Sequence, residues 1–101
     1  MQRAGGMFEV YVVEAGSRDP RRVWRENSVI DNVSLSPDGQ RLAFEAGRGQ
    51  RDIFMVNADG SGHTQVTNFG PGERPWGSAW SPDGSRLAYG SRAVLADTTV
   101  S

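Results

Sequence analysis

Leu35-Ser36-Pro37-Asp38-Gly39-Gln40-Arg41-Leu42-Ala43-Phe44 is the stretch that decides the fold, because it returns almost unchanged. Forty-five residues after Ser36, the chain reads Trp80-Ser81-Pro82-Asp83-Gly84-Ser85-Arg86-Leu87-Ala88-Tyr89. The Ser-Pro-Asp-Gly core is a turn with a mechanism. Proline (Pro37, Pro82) presets φ at the first turn position, aspartate (Asp38, Asp83) favours the second, and glycine (Gly39, Gly84) takes the left-handed position that follows. The first copy is expected to join strands 32–36 and 40–46, the second strands 77–81 and 86–91.

A second unit repeats between these turns. Glu9-Val10-Tyr11-Val12-Val13 parallels Asp52-Ile53-Phe54-Met55-Val56 at an offset of 43, and Arg22-Val23 parallels Gln65-Val66. The two-residue difference falls in the Gly/Pro-rich stretch 69–76, where an insertion costs little. Asn57-Ala58-Asp59-Gly60-Ser61-Gly62 is a further turn cluster, with Asp59 and Gly60 as its structural residues, joining strands 52–57 and 63–67. Residues 14–20 do the same between 8–13 and 21–25. Val10 to Val13, Leu42 to Phe44 and Ile53 to Val56 are apolar on both faces, so these strands need cover on both sides. Stacked four-stranded sheets supply it, and a period of about 40–45 residues is that of a propeller blade.

These motifs resemble the TolB-type β-propeller repeat, and the likeness runs from Phe8 to Ser91. Only the first turn departs from it, with Glu14-Ala15-Gly16-Ser17 where Asn57-Ala58-Asp59-Gly60 stands later. The resemblance implies that the strand before each Ser-Pro-Asp-Gly turn is innermost and that the order runs outward. The expected architecture is therefore all-β, a propeller fragment of about two four-stranded antiparallel blades. Residues 1–7 form an N-terminal extension, 8–31 an outer half-blade, 32–67 a complete blade, 77–91 an inner half-blade and 92–101 a tail, in which Ala93-Val94-Leu95 could add an outer strand. Two blades cannot close a ring, so the chain reads as a fragment of a longer reading frame or as a unit that assembles with copies of itself. Uncovered apolar faces and open strand edges invite such association.

Composition excludes several functions. The 101 residues fit at most one ordinary domain. Cysteine is absent, which removes disulfides, thiolate metal sites and cysteine nucleophiles. A net charge of −1 gives no pull toward nucleic acid, and no run reaches membrane-helix length. The basic cluster Arg18, Arg21, Arg22, Arg25 is flanked by Asp19 and Glu26 and reads as a solvated outer strand. No apolar run after Arg3 resembles a signal peptide, whereas the resemblance implies the periplasm.

Catalytic chemistry finds little support. His63, the single histidine, lies near Ser61 and Asp59, but the chain has no Gly-x-Ser-x-Gly, and neighbours along a hairpin point to alternating faces. A calcium loop with Gly60 sixth would put Met55 first and Val66 twelfth, and neither can bind the ion. Asp38 and Asp83 repeat because the turn repeats. No cofactor is expected. Arg74 and Trp76, after Gly70-Pro71-Gly72-Glu73, are the candidate binding residues. The resemblance puts the loop entering an innermost strand near the channel mouth, and tryptophan and arginine are favoured in protein contacts. The competing reading packs Trp76 against the next blade. The expected role is a non-catalytic protein-binding or scaffold module. The alternative is the gating propeller of a prolyl-oligopeptidase-like serine peptidase, without its hydrolase domain.

Overall fold

A computed structural model describes residues 6–93. Eight antiparallel strands form three sheets among them. Strands β1 (Phe8–Val12) and β2 (Arg21–Glu26) make the first. Strands β3 (Val29–Leu35), β4 (Arg41–Gly47), β5 (Asp52–Asn57) and β6 (Thr64–Gln65) make a four-stranded sheet in sequence order. Strands β7 (Glu73–Trp80) and β8 (Leu87–Ala93) make the third. The fold is thus all-β and propeller-like, a half-blade, a full blade and a half-blade. Its radius of gyration, 16.0 Å, exceeds the about 13 Å of a compact domain this long, as expected of sheets side by side in an open arc.

The repeat offsets are also structural offsets. Leu35 pairs with Leu42, and Trp80 with Leu87. Phe54 pairs with Gln65 and Met55 with Thr64, while Tyr11 pairs with Arg22 and Val12 with Arg21. Both Ser-Pro-Asp-Gly turns use one set of bonds. The Ser36 hydroxyl donates to Asp38 Oδ1 at 2.7 Å and accepts the Arg41 N–H at 3.0 Å. The Ser81 hydroxyl does the same with Asp83 at 2.8 Å and Arg86 at 3.0 Å. Gly39 and Gly84 share φ of 75°, which a side chain rarely adopts.

Alternation along the strands divides the apolar residues between two seams. Val10 and Val23 of the first sheet meet Leu42, Phe44, Ala46 and Val56 of the second, and these six form the buried core. The strands expected to be apolar on both faces are covered on one where a neighbouring sheet is missing. Val10 is 4% exposed, but Tyr11 is 50% exposed.

Several strand boundaries differ from the sequence expectation. β3 begins at Val29 and β7 at Glu73, both earlier than expected. Pro75 lies inside β7, opposite Ser91, and is buried. Among the described residues β7 pairs only with β8, and a strand at a sheet edge tolerates a residue with no N–H. β6 is short because Thr67 replaces ladder bonds with its side chain. Its hydroxyl accepts the Ile53 N–H at 2.9 Å and donates to buried Asp52 at 2.9 Å, and Asp52 also accepts the Phe69 N–H at 2.7 Å. The outer strand expected from Ala93-Val94-Leu95 lies largely outside the described residues.

β3 and β7 share a feature the sequence hid. β3 bulges between Asp31 and Ser34, and β7 bulges between Trp76 and Ala79, again 45 residues on. The bulges put Asn32 (φ 53°) and Gly77 (φ 63°) in the left-handed region. Asparagine tolerates that conformation, and here its amide donates to the buried Glu45 carboxylate at 2.8 Å. The chemistry differs between the copies, so nothing in the letters marks the bulge as shared.

Candidate interaction surface

The two seams between sheets are built alike, and they define what an unfinished seam lacks. At the seam between the second and third sheets, the Arg41 guanidinium donates to the Gly84 carbonyl at 2.7 Å and lies 5.0 Å from the Trp80 ring centre. Such a cation over an indole adds attraction to the hydrogen bond. The Trp80 indole N–H donates to the Ser34 carbonyl at 3.3 Å, and Phe69 meets Tyr89 edge-on at 6.0 Å. At the first seam, Arg21 donates to the Ala58 carbonyl at 3.1 Å. In each seam, an arginine of the earlier sheet holds a turn of the later one.

His63 belongs to the first seam. Its imidazole stacks on Trp24 at 3.9 Å and nearly parallel, with Phe54 at 5.1 Å on the way to Phe44. His63 is itself exposed, so its ring adds to the aromatic stack at the surface of the seam. Its sequence neighbours Asp59 and Ser61 bond each other. Asp59 Oδ1 accepts the Ser61 N–H at 3.0 Å and the Ser61 hydroxyl. The stacking was missed because Trp24 and His63 are far apart in sequence, and no pattern within either strand signals the pair.

The turn aspartates are likewise committed. Ser36 and the Gln40 N–H bond the Asp38 carboxylate and hold its pKa below the usual value. Ser61 does this for Asp59. The Ser85 N–H and the Ser81 and Ser85 hydroxyls lower Asp83 to about 2. Bonds to the charged form favour it, so all three are struts of their turns. Among the described residues, no three of His, Asp and Glu gather into a metal-binding group, and no helix is long and apolar enough to cross a membrane.

Two open faces remain. On the β7–β8 sheet, Trp76 and Ala79 pair with Gly90 and Ala88, so all four share the face turned away from the second sheet. Trp76 is 59% exposed, and its indole lies flat over Gly90, where any β-carbon would collide with the ring. Arg74 and Arg92 pair on the same face and rim it. Arg74 and Trp76 therefore sit in a strand, not in a loop entering it, and the structure brings them onto one face. On the first sheet, the opposite-facing residues Glu9, Tyr11, Arg22 and Arg25 form a polar network. The Glu9 carboxylate lies 3.2 Å from Arg22 and 3.5 Å from Arg25, and it accepts the Tyr11 hydroxyl at 3.0 Å, which raises the phenol pKa. The arginines of β2 are thus partly neutralised by a carboxylate of β1.

No protein-family model matches the chain. Among curated proteins, it is 34% identical over 69 residues to dipeptidyl-peptidase 5 of Porphyromonas gingivalis, covering 61% of this chain and 10% of that protein. It is 39% identical over 72 residues to the Tol-Pal system protein TolB of Syntrophus aciditrophicus, and 34% identical over 70 residues to that of Thioalkalivibrio sulfidiphilus. Each TolB match covers 66% of this chain and 16% of the relative. The chain thus spans between a tenth and a sixth of the length of these relatives.

Proposed function

We propose that the chain is a non-catalytic protein-interaction module of TolB-like propeller blades, and that its contact surface is the open β7–β8 face. One observation carries this reading: the largest exposed aromatic, Trp76, lies flat on Gly90 in a paired strand, with Arg74 beside it. An aromatic already fixed on a sheet loses little entropy on contact, and Trp with Arg is the pairing that interface hot spots favour. The similarity to TolB supports a scaffold role and a periplasmic setting. The similarity to a dipeptidyl-peptidase favours a second reading, in which these blades are the propeller part of a serine peptidase whose catalytic groups lie in other sequence. Both readings leave the blades themselves without chemistry, since His63 is stacked and the turn aspartates are bonded.

The test is a photo-crosslinking amino acid placed at Trp76, with a second placed at Asp19 as control, in the source cells. Covalent protein adducts are expected at position 76 and not at 19. No adduct at 76 would sink the reading. Turnover of dipeptidyl fluorogenic substrates by the purified chain would also sink it.

A further inference from the structure

We infer that the β7–β8 face takes up a second copy of this chain, which adds its β1 strand to the edge of β8 that is unpaired among the described residues. The inference rests on the reading of that face as a protein-contact surface and names its occupant.

The template is inside the chain. Among the described residues, β8 has no partner on its outer edge, and β1 has none on the edge away from β2. β8 repeats β4 at an offset of 45, and β1 precedes its counterpart β5 by 43. β4 and β5 pair, with Leu42 opposite Val56, Ala43 opposite Met55 and Phe44 opposite Phe54. Carrying that register across gives Leu87 opposite Val13, Ala88 opposite Val12 and Tyr89 opposite Tyr11 of the next copy. One copy's inner half-blade and the next copy's outer half-blade then make one complete blade.

The faces agree with the edges. Ala88 and Val12 both point toward the following sheet, while Tyr89 and Tyr11 both point toward the preceding one. A one-residue slip would reverse every one of these, so the register is strongly specified. The composite blade would also cover the apolar residues that each copy leaves open. Leu35 of the next copy, 44% exposed, would lie against Arg86 and Ala79, because its repeat partner Trp80 rests on Arg41 and the Ser34 carbonyl. Tyr11 and Val13 would lie against Val66 of the preceding copy, 41% exposed. Arg86 repeats Arg41 and is exposed. In the composite it would donate to the Gly39 carbonyl of the next copy, as Arg41 donates to Gly84. This head-to-tail contact is heterologous, so it closes into a ring or continues as an open array.

The experiment uses the 101-residue chain itself. Light scattering of the purified protein is expected to give a multiple of the 11.0 kDa chain mass, and R86A is expected to shift dissociation to at least about tenfold higher concentration. Because the chain has no cysteine, register can be read directly. An equimolar mixture of Tyr11→Cys and Tyr89→Cys under mild oxidation should give a band at twice the chain mass. The mismatched mixture of Tyr11→Cys and Leu87→Cys should react at least about tenfold more slowly, since pairs two residues out of register are too far apart to bridge. A monomer at high concentration overturns the inference, and so do equal rates for the two mixtures. If Trp76 crosslinks to a different protein in cells while the purified chain is monomeric, the interaction face stands and the second copy falls. If position 76 gives no adduct and the chain is monomeric, both fall.

Discussion

Ser36→Ala and Ser81→Ala delete the same hydroxyl from the same turn, and their costs should differ severalfold. In both turns the hydroxyl donates to an aspartate and accepts a backbone N–H two strands' ends apart, at matched distances. Ser36, however, is 3% exposed, whereas the second turn's bonds are exposed to solvent. The Ser36→Ala variant leaves the Arg41 N–H with no acceptor and removes the one hydroxyl that binds Asp38. A buried donor left without a partner costs about 1–3 kcal/mol. In the Ser81→Ala variant water can replace the hydroxyl, and Asp83 keeps the Ser85 N–H at 3.0 Å and the Ser85 hydroxyl at 2.8 Å. The loss there is that of an ordinary exposed bond, about 0.5–1 kcal/mol. For a domain this size, 1 kcal/mol moves Tm by about 4–8 °C. Ser36→Ala should therefore lower Tm by about 4–24 °C and Ser81→Ala by about 2–8 °C, with the larger shift for Ser36→Ala. The assay is thermal unfolding by circular dichroism at one fixed protein concentration. Equal shifts, or a larger one for Ser81→Ala, would refute the claim that burial sets the worth of this turn.

Phe44→Ala empties the centre of the first seam, where Phe44 is 1% exposed, and should cost about 3–5 kcal/mol, enough to unfold a marginal chain; denaturant unfolding checks it. His63→Ala removes the stack on Trp24 and should cost about 0.5–1.5 kcal/mol, with a change in tryptophan fluorescence that distinguishes lost stacking from a surface substitution. Hydrogen bonds to their carboxylates hold Asp38, Asp59 and Asp83 below the ordinary aspartate pKa in the folded chain. Their folded pKa is depressed, so the stability they contribute is present above the ordinary value and is lost as pH falls through the folded one, about 2 for Asp83. Unfolding free energy should fall between about pH 4 and pH 2, and D83N should flatten that limb in an acid titration.

Much of the fold was legible because the chain states it twice. Ser-Pro-Asp-Gly at 36–39 and 81–84 fixed two turns by local chemistry, and the apolar runs at 42–44 and 53–56 required sheets with neighbours on both sides. Local rules failed where tertiary pairing overrode them. Gly70, Pro71, Gly72 and Pro75 read as loop, yet β7 begins at Glu73, since an edge strand can hold a proline. The paired bulges at Asn32 and Gly77 left no common letter, because different residues satisfy the same positive φ.

What the sequence alone determined is the repeat, its period and its turns, each of which needs only residues close along the chain. What only the tertiary structure decided is which side chains meet across a seam. Arg41 on the Gly84 carbonyl, His63 on Trp24 and Trp76 over Gly90 depend on the packing of whole sheets or on strand register. Those contacts join residues of different strands, and no periodicity within one strand encodes a neighbour that another sheet supplies.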